Sequence, residues 1–306
     1  MKTTKIGMAL FALGLVISMN TSAQIYFGLG GGYGFAAGKQ DMISGPDVSS
    51  TTNYNNTAFP NTFTKTETFT ARSYSIGKGG NIGLYGGYMF NKYLGAELGI
   101  SYLIGASSIG TTDYATTTLN FGGGSSSTDN KTTTTVKGSM VRLVPGLRVQ
   151  IGEKKIKTYA TAGIIIGVAG KATMETNNVN SQTGMATTTT DQINTLSGGM
   201  SWGLHSSIGV CYAVSGMIGI FGEISANLQN AHPSKNLETT YTVNGADKLS
   251  TLTTSQKETD YSSPYTVTTT QASVADPGAP QQAASINAPF SSIGFNIGVH
   301  ITLGGK

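Results

Sequence analysis

Between Met140 and Gly152 every second residue from Val141 onward is apolar: Val141, Leu143, Pro145, Leu147, Val149 and Ile151. The positions between them include Arg142, Arg148 and Gln150. Side chains on a strand point alternately to its two faces, so as a strand this segment has one wholly apolar face and one carrying two positive charges. A helix would mix the two sets. The apolar face lasts for more than ten residues, longer than a typical globular strand and about the length that crosses a bilayer at a tilt.

Seven further segments repeat the pattern. The first, 24–36, sets Ile25, Phe27, Leu29, Tyr33 and Phe35 against Gly28, Gly30, Gly32 and Gly34. The second, ending at Phe90, sets Ile82, Leu84, Tyr88 and Phe90 against Asn81, Gly83, Tyr85 and Gly87, and the third sets Leu94, Leu98, Ile100, Tyr102 and Ile104 against Gly95, Glu97, Gly99 and Ser101. After the fourth, at 140–152, the fifth covers 156–169. The sixth sets Trp202, Leu204, Ile208, Val210 and Tyr212 against Gly203, His205, Ser207, Gly209 and Cys211. The seventh carries Ile218, Ile220, Ile224 and Leu228, and the last carries Ile293, Phe295, Ile297, Val299, Ile301 and Leu303.

Long polar stretches rich in Thr, Ser, Asn and Gly fall near 37–73, 106–138, 170–199 and 229–288, and alternate with short turns such as Asn91-Lys92 and Ser215-Gly216; some are expected to extend the hairpins as β-ribbons, near Tyr241-Thr242-Val243 and Tyr265-Thr266-Val267, and an extra strand pair in the last stretch would give ten strands. Membrane barrels pair short periplasmic turns with longer extracellular loops, and an even strand count returns both ends to the periplasmic side. The pattern therefore predicts an all-β chain: an eight-stranded antiparallel up-and-down transmembrane β-barrel with long extracellular loops. Lipid offers no hydrogen bonds to an open edge, so the first and last strands must pair. Pro145 cannot donate to a ladder, and a local bulge is expected there.

Two placements agree with a lipid-facing exterior. Glu97, Arg142, Arg148, Lys157 and Glu223, the charged residues inside the eight segments, all fall on the small or polar parity, an outcome with a chance of about one in thirty-two if parity were random. Tyr33, Phe35, Tyr102, Trp202 and Phe290 adjoin the long stretches, while Tyr88, Phe90 and Tyr212 adjoin the short turns. Two aromatic girdles at two interfaces are what amphipathic rings prefer.

Composition narrows the class. The 306 residues are only 11% charged and hold 42 glycines, against about 25% charge in an average soluble domain. After the N-terminal segment no apolar run is long enough for a helical span. Residues 1–23 are organised as a secretory signal, with Lys2 and Lys5, an apolar core from Ile6 to Met19, and Thr21-Ser22-Ala23 before the expected cleavage. The mature chain, 24–306, reads as one barrel domain. Loss of Lys2 and Lys5 takes the formal charge from +4 to +2, and no basic patch points to nucleic acid. The lone Cys211 allows no intrachain disulfide. Gly28-x-Gly30 lacks the third glycine and the following helix of a dinucleotide site.

In these eight alternating segments the chain resembles the small outer-membrane β-barrel proteins of diderm bacteria, the OmpA-like and OmpX-like barrels. The resemblance covers the mature chain in architecture and rests on pattern rather than on a residue motif. It implies localisation in the outer membrane, with outer-membrane lipid and the outer-membrane assembly machinery as partners, and an extracellular ligand taken by the loops.

An eight-stranded barrel is just wide enough to be filled by side chains. Glu97 and Arg148 stand at similar heights on neighbouring strands and are expected to form an internal ion pair, extended by Glu223, Arg142 and His205 into a lumen polar network that plugs the barrel. The expected role is structural, or surface binding and adhesion through the loops; a narrow channel for small solutes competes with it. A third reading comes from His205-x-Ser207 and Glu223, which share a face and are the parts of an ester hydrolase. They resemble the set that lipid A deacylases use on a small barrel, but parity turns them into the lumen, away from acyl chains, so the chain is not read as an enzyme. The three histidines, His205, His232 and His300, form no pair, and neither a metal nor a cofactor is implied.

Overall fold

The computed structural model describes residues 24–37, 48–56, 61–71, 75–121, 124–152, 155–264 and 276–303. The expected signal at 1–23, the turn residues 153–154 and the ribbon expected near 265–267 lie outside them. The chain is all-β, and its strands join in one large sheet that closes into a ring. Among the described residues the expectation of eight strands is corrected to seventeen, of which two are two-residue pairings.

In chain order the strands are β1 (Gln24–Ala36), β2 (Val48–Asn56), β3 (Asn61–Ala71), β4 (Gly79–Met89), β5 (Leu94–Gly105) and β6 (Ser108–Phe121). Then come β7 (Gly124–Ile151), β8 (Ile156–Gln182), β9 (Thr188–Ser197), β10 (Ser201–Ala213) and β11 (Ile218–Ala231). The rest are β12 (Lys235–Val243), β13 (Ala246–Asp247), β14 (Glu258–Ser262), β15 (Gln281–Ala284), β16 (Ala288–Pro289) and β17 (Ser292–Leu303). One four-residue helix, α1 (Thr254–Lys257), precedes β14.

Antiparallel pairings run β1–β4–β5–β7–β8–β10–β11–β17 and return to β1, where Ile25 faces Leu303 and Ala36 faces Ser292. Alternating residues produce this wall because only one of its faces meets the interior. Outward residues such as Ile25, Phe27 and Leu29 of β1, Leu147, Val149 and Ile151 of β7, and Phe295, Ile297 and Val299 of β17 are exposed, whereas Tyr26, Arg142, Arg148 and His300 on the other parity are buried. Glycines on the inner parity give way to rings: a side chain at Gly28 would strike Tyr85, and one at Gly87 would strike Tyr26.

The stretches expected as loops carry the remaining strands. β7 spans 28 residues, roughly 90 Å at about 3.3 Å per residue, and its neighbour changes along its length from β6 to β5. β8 likewise passes from β10 to β9. Beyond the ring, β2, β3, β6, β7, β8, β9, β12, β14 and β15 pair in that order into an extension of the same sheet. Threonine, stiff at χ1 and at home on a pleated surface, favours such strands. Polar side chains join across them: Thr134 Oγ1 lies 3.3 Å from Thr176 Oγ1, and Asn178 Nδ2 donates to Asn130 Oδ1 at 2.7 Å. Asn244-Gly245, with φ of 51° and 77°, forms the two-residue turn between β12 and β13 that needs two left-handed residues.

Pro145 sits opposite Leu98 of β5. No bulge forms there. The β7–β8 register is the same at Leu143 and at Gly146, with a shift between Val141 and Arg142 instead.

Candidate functional site: the filled interior

Arg148 lies inside the ring toward the end closed by short turns, 2% exposed. Its Nη1 is 3.0 Å from Glu97 Oε2, and its guanidinium lies 3.7 Å from the centroid of the Tyr159 ring and 4.9 Å from that of Tyr26. Tyr26 donates to the same Glu97 oxygen at 2.9 Å. Arginine suits this place because its flat cation can stack on rings while donating in its plane. Across the interior, Tyr159 donates to Glu223 Oε2 and Asn296 Nδ2 to Glu223 Oε1, both at 2.9 Å. Tyr85 reaches His300 Nδ1 at 3.2 Å, and His300 stacks on Tyr26. The layer crosses the interior from β1, β4, β5, β7, β8, β11 and β17.

A second closure lies toward the extension. Arg142 donates from Nε to Gln229 Oε1 at 2.8 Å and from Nη2 to the Phe290 carbonyl at 3.0 Å. Gln229 donates in turn to Ser201 Oγ at 2.9 Å. Residues 75–78 and 288–291 fold across this end. Ile76 N donates to the Pro289 carbonyl, Phe290 N to the Gln229 carbonyl, and Ser75 Oγ to the Ser291 carbonyl. Beside them Ile76, Leu103, Val136, Met140, Leu196 and Phe290 form a buried apolar cluster. Phe290, expected in an interface girdle, is corrected: it is 2% exposed in this cluster.

A cavity of about 110 Å³ separates the two closures, lined by Glu97, Arg142, His205, Glu223 and Asn227 among others. Below the Arg148 layer a wider space of about 440 Å³ opens at the short-turn end, with Lys155, Lys157, Cys211 and His300 on its wall.

The five residues of the expected polar network therefore fall in three places. Glu97 and Arg148 meet directly, and Glu223 faces the same layer through Tyr159. Arg142 belongs to the upper closure. His205 Nδ1 lies 2.8 Å from Asn227 Oδ1, and Glu223 is occupied by Tyr159 and Asn296, so the His205, Ser207 and Glu223 set is not joined as a catalytic relay. Of the remaining aromatics, Phe35, Tyr102, Trp202 and Tyr212 are exposed on the ring's outer face, and Tyr33, Tyr88 and Phe90 are half-buried. Sequence reasoning missed Tyr26, Gln229 and the two inward segments. Parity could have found Tyr26, which alternates with the outward Ile25 and Phe27.

Among the described residues no group of three His, Cys, Asp or Glu side chains could hold a metal ion. No protein-family model and no curated protein matches this chain.

Proposed function

We propose that the chain is an outer-membrane protein of a diderm bacterium, a small barrel akin to the OmpA-like and OmpX-like proteins. In this reading the eight ring strands cross the membrane, the lumen is plugged, and the role is structural or one of surface binding and adhesion. One observation carries it: the ring's outer face is a continuous apolar surface. Ile151, Ile208, Ile224 and Ile297 are 65–71% exposed on four of its strands, while Glu97, Arg142, Arg148 and Glu223 turn inward. Soluble monomers rarely expose contiguous apolar patches beyond a few hundred Å², and a closed wall of strands leaves lipid no unpaired backbone to meet.

The plug supports a non-conducting role, because the Arg148 layer and the Arg142–Phe290 closure each block the axis. The polar extension supports surface binding: it stands beyond the apolar band and is built largely of threonine, serine and asparagine. Delivery by a cleaved signal, insertion by the assembly machinery and an extracellular ligand belong to the same reading, which includes no catalysis. A narrow channel for small solutes is the second reading, favoured by the two cavities on either side of Arg148.

The test is gel migration of detergent-extracted protein, with and without boiling, alongside membrane fractionation. A closed membrane barrel stays folded in SDS and changes apparent mass on heating. A soluble protein with no shift would overturn the reading.

A further inference from the structure

The ring wall is interrupted where β8 changes partner from β10 to β9. β8 pairs with β10 up to Gly167, opposite Ser201, and with β9 from Lys171, opposite Ser197. Residues 168–170 on one side and 198–200 on the other carry no ladder between them. The second segment is drawn away from β8: His232 N donates to the Met200 carbonyl and Ser234 N to the Ser197 carbonyl, both at 3.0 Å. Gly198 and Gly199, at φ of 72° and 74°, make that detour, and a side chain on Gly199 would strike the His232 carbonyl. On the other flank, the β7–β8 register shift between Val141 and Arg142 lies beside the same gap.

The gap opens into a recess of about 280 Å³, with Val168, Ala169 and Lys171 at its mouth and Met140, Leu196 and Phe290 deeper in. That is just under the roughly 300 Å³ at which small-molecule pockets begin, a size for one chain segment rather than a whole amphiphile. By register Ala169 stands beside Val141, which stands beside Tyr102; Trp202 is paired with Ile166 just below. The mouth is therefore level with the outer aromatic girdle and continuous with the apolar exterior. Lys171 is exposed there, and no acidic side chain lines the recess.

We infer that this recess admits one acyl chain of a membrane lipid through the wall, with the lipid phosphate held by Lys171. The inference rests on the membrane reading. Apolar lining suits the chain, and a single cation at the girdle, where headgroups lie, suits the phosphate. The chain end would rest against Phe290, whose carbonyl is bound by Arg142, so an occupant would touch the upper closure from the side.

The full-length protein is reconstituted into phosphatidylethanolamine and phosphatidylglycerol vesicles carrying a trace of phosphatidylglycerol with a diazirine along one acyl chain, irradiated, and mapped by mass spectrometry. Adducts on Met140 or Phe290, together with adducts on Ile208 and Ile224, are the expected result. In Lys171→Glu the inner adducts should fall roughly tenfold, as for loss of one hydrogen bond to a charged group, while the outer ones stay. Labelling of Ile208 and Ile224 without Met140 or Phe290 would overturn the recess and leave the membrane reading standing. Inner labelling unchanged in Lys171→Glu would overturn the headgroup assignment. No label on Ile208 or Ile224 would remove the membrane reading, and the inference with it.

Discussion

Arg148 and Glu97 meet at 3.0 Å on the neighbouring strands β7 and β5, inside a cage of tyrosines. Removing one partner of a buried pair leaves an uncompensated charge, at about 3–5 kcal/mol. Arg148→Ala should therefore lower the temperature at which the unboiled gel band converts to the unfolded one. The double variant Arg148→Met with Glu97→Gln should recover most of the loss, because both charges then leave together.

Two closures in series make conduction a test of both. In planar bilayers, if the lumen is plugged as proposed, Arg148→Ala alone should remain silent, since Phe290 and the Arg142–Gln229 contact still lie across the interior. Arg148→Ala combined with Phe290→Ala should give openings. A conductance change in the single Arg148→Ala variant would favour the narrow channel instead.

Ile224 is an exposed outward residue on β11, and Leu119 is an exposed residue on β6 in the extension. If lipid covers only the ring, Ile224→Lys costs about 2–4 kcal/mol, whereas Leu119→Lys stays within about 0.5 kcal/mol, as surface changes do. Urea unfolding from lipid vesicles separates the two.

Gly28 faces the ring of Tyr85 so closely that any side chain would displace it. Gly28→Leu should destabilise the ring by about 1–3 kcal/mol, the usual cost of overpacking, and Tyr85→Ala in the same chain should restore part of it. Thermal gel shifts read out both.

Glu238 is buried on β12 in the extension, and its Oε1 has no hydrogen-bond partner among the described residues. Burial raises its carboxyl above the ordinary range. Below the ordinary glutamate value both folded and unfolded forms are protonated and nothing is lost. As pH rises, the unfolded chain ionises first, so folding weakens until the folded carboxyl has also ionised. Glu238→Gln should match the parent in acid and be more stable at neutral pH. Amide-exchange protection of β12, corrected for intrinsic rates, checks it.

The ring was legible because its wall demands an apolar residue at every second place on eight strands, and Ile25, Phe27 and Leu29 obey that rule as plainly as Leu147, Val149 and Ile151. Of the extension only the ribbon at Tyr241-Thr242-Val243, now within β12, was legible. Thr132 to Thr135 and Thr116 to Thr118 are strand formers with polar side chains on both faces, so no apolar period marks them, and they read as loop. Glu97 and Arg148 could be placed together by counting from the turns. Phe290 could not be placed by its position near a strand end, although it shares the inward parity of Ser292 and Gly294. The inward turn of 75–78 and 288–291 depends on contacts between segments more than two hundred residues apart, which no local pattern encodes.

Because β7 and β8 run unbroken from the ring into the extension, the two parts are one mechanical body. A pull on the extension along the strands loads the β7–β8 ladder lengthwise, in shear, where many hydrogen bonds resist together instead of opening one after another. If the ring is held in a membrane and the extension is gripped by a partner, as proposed, that geometry would pass force from one to the other along two continuous strands.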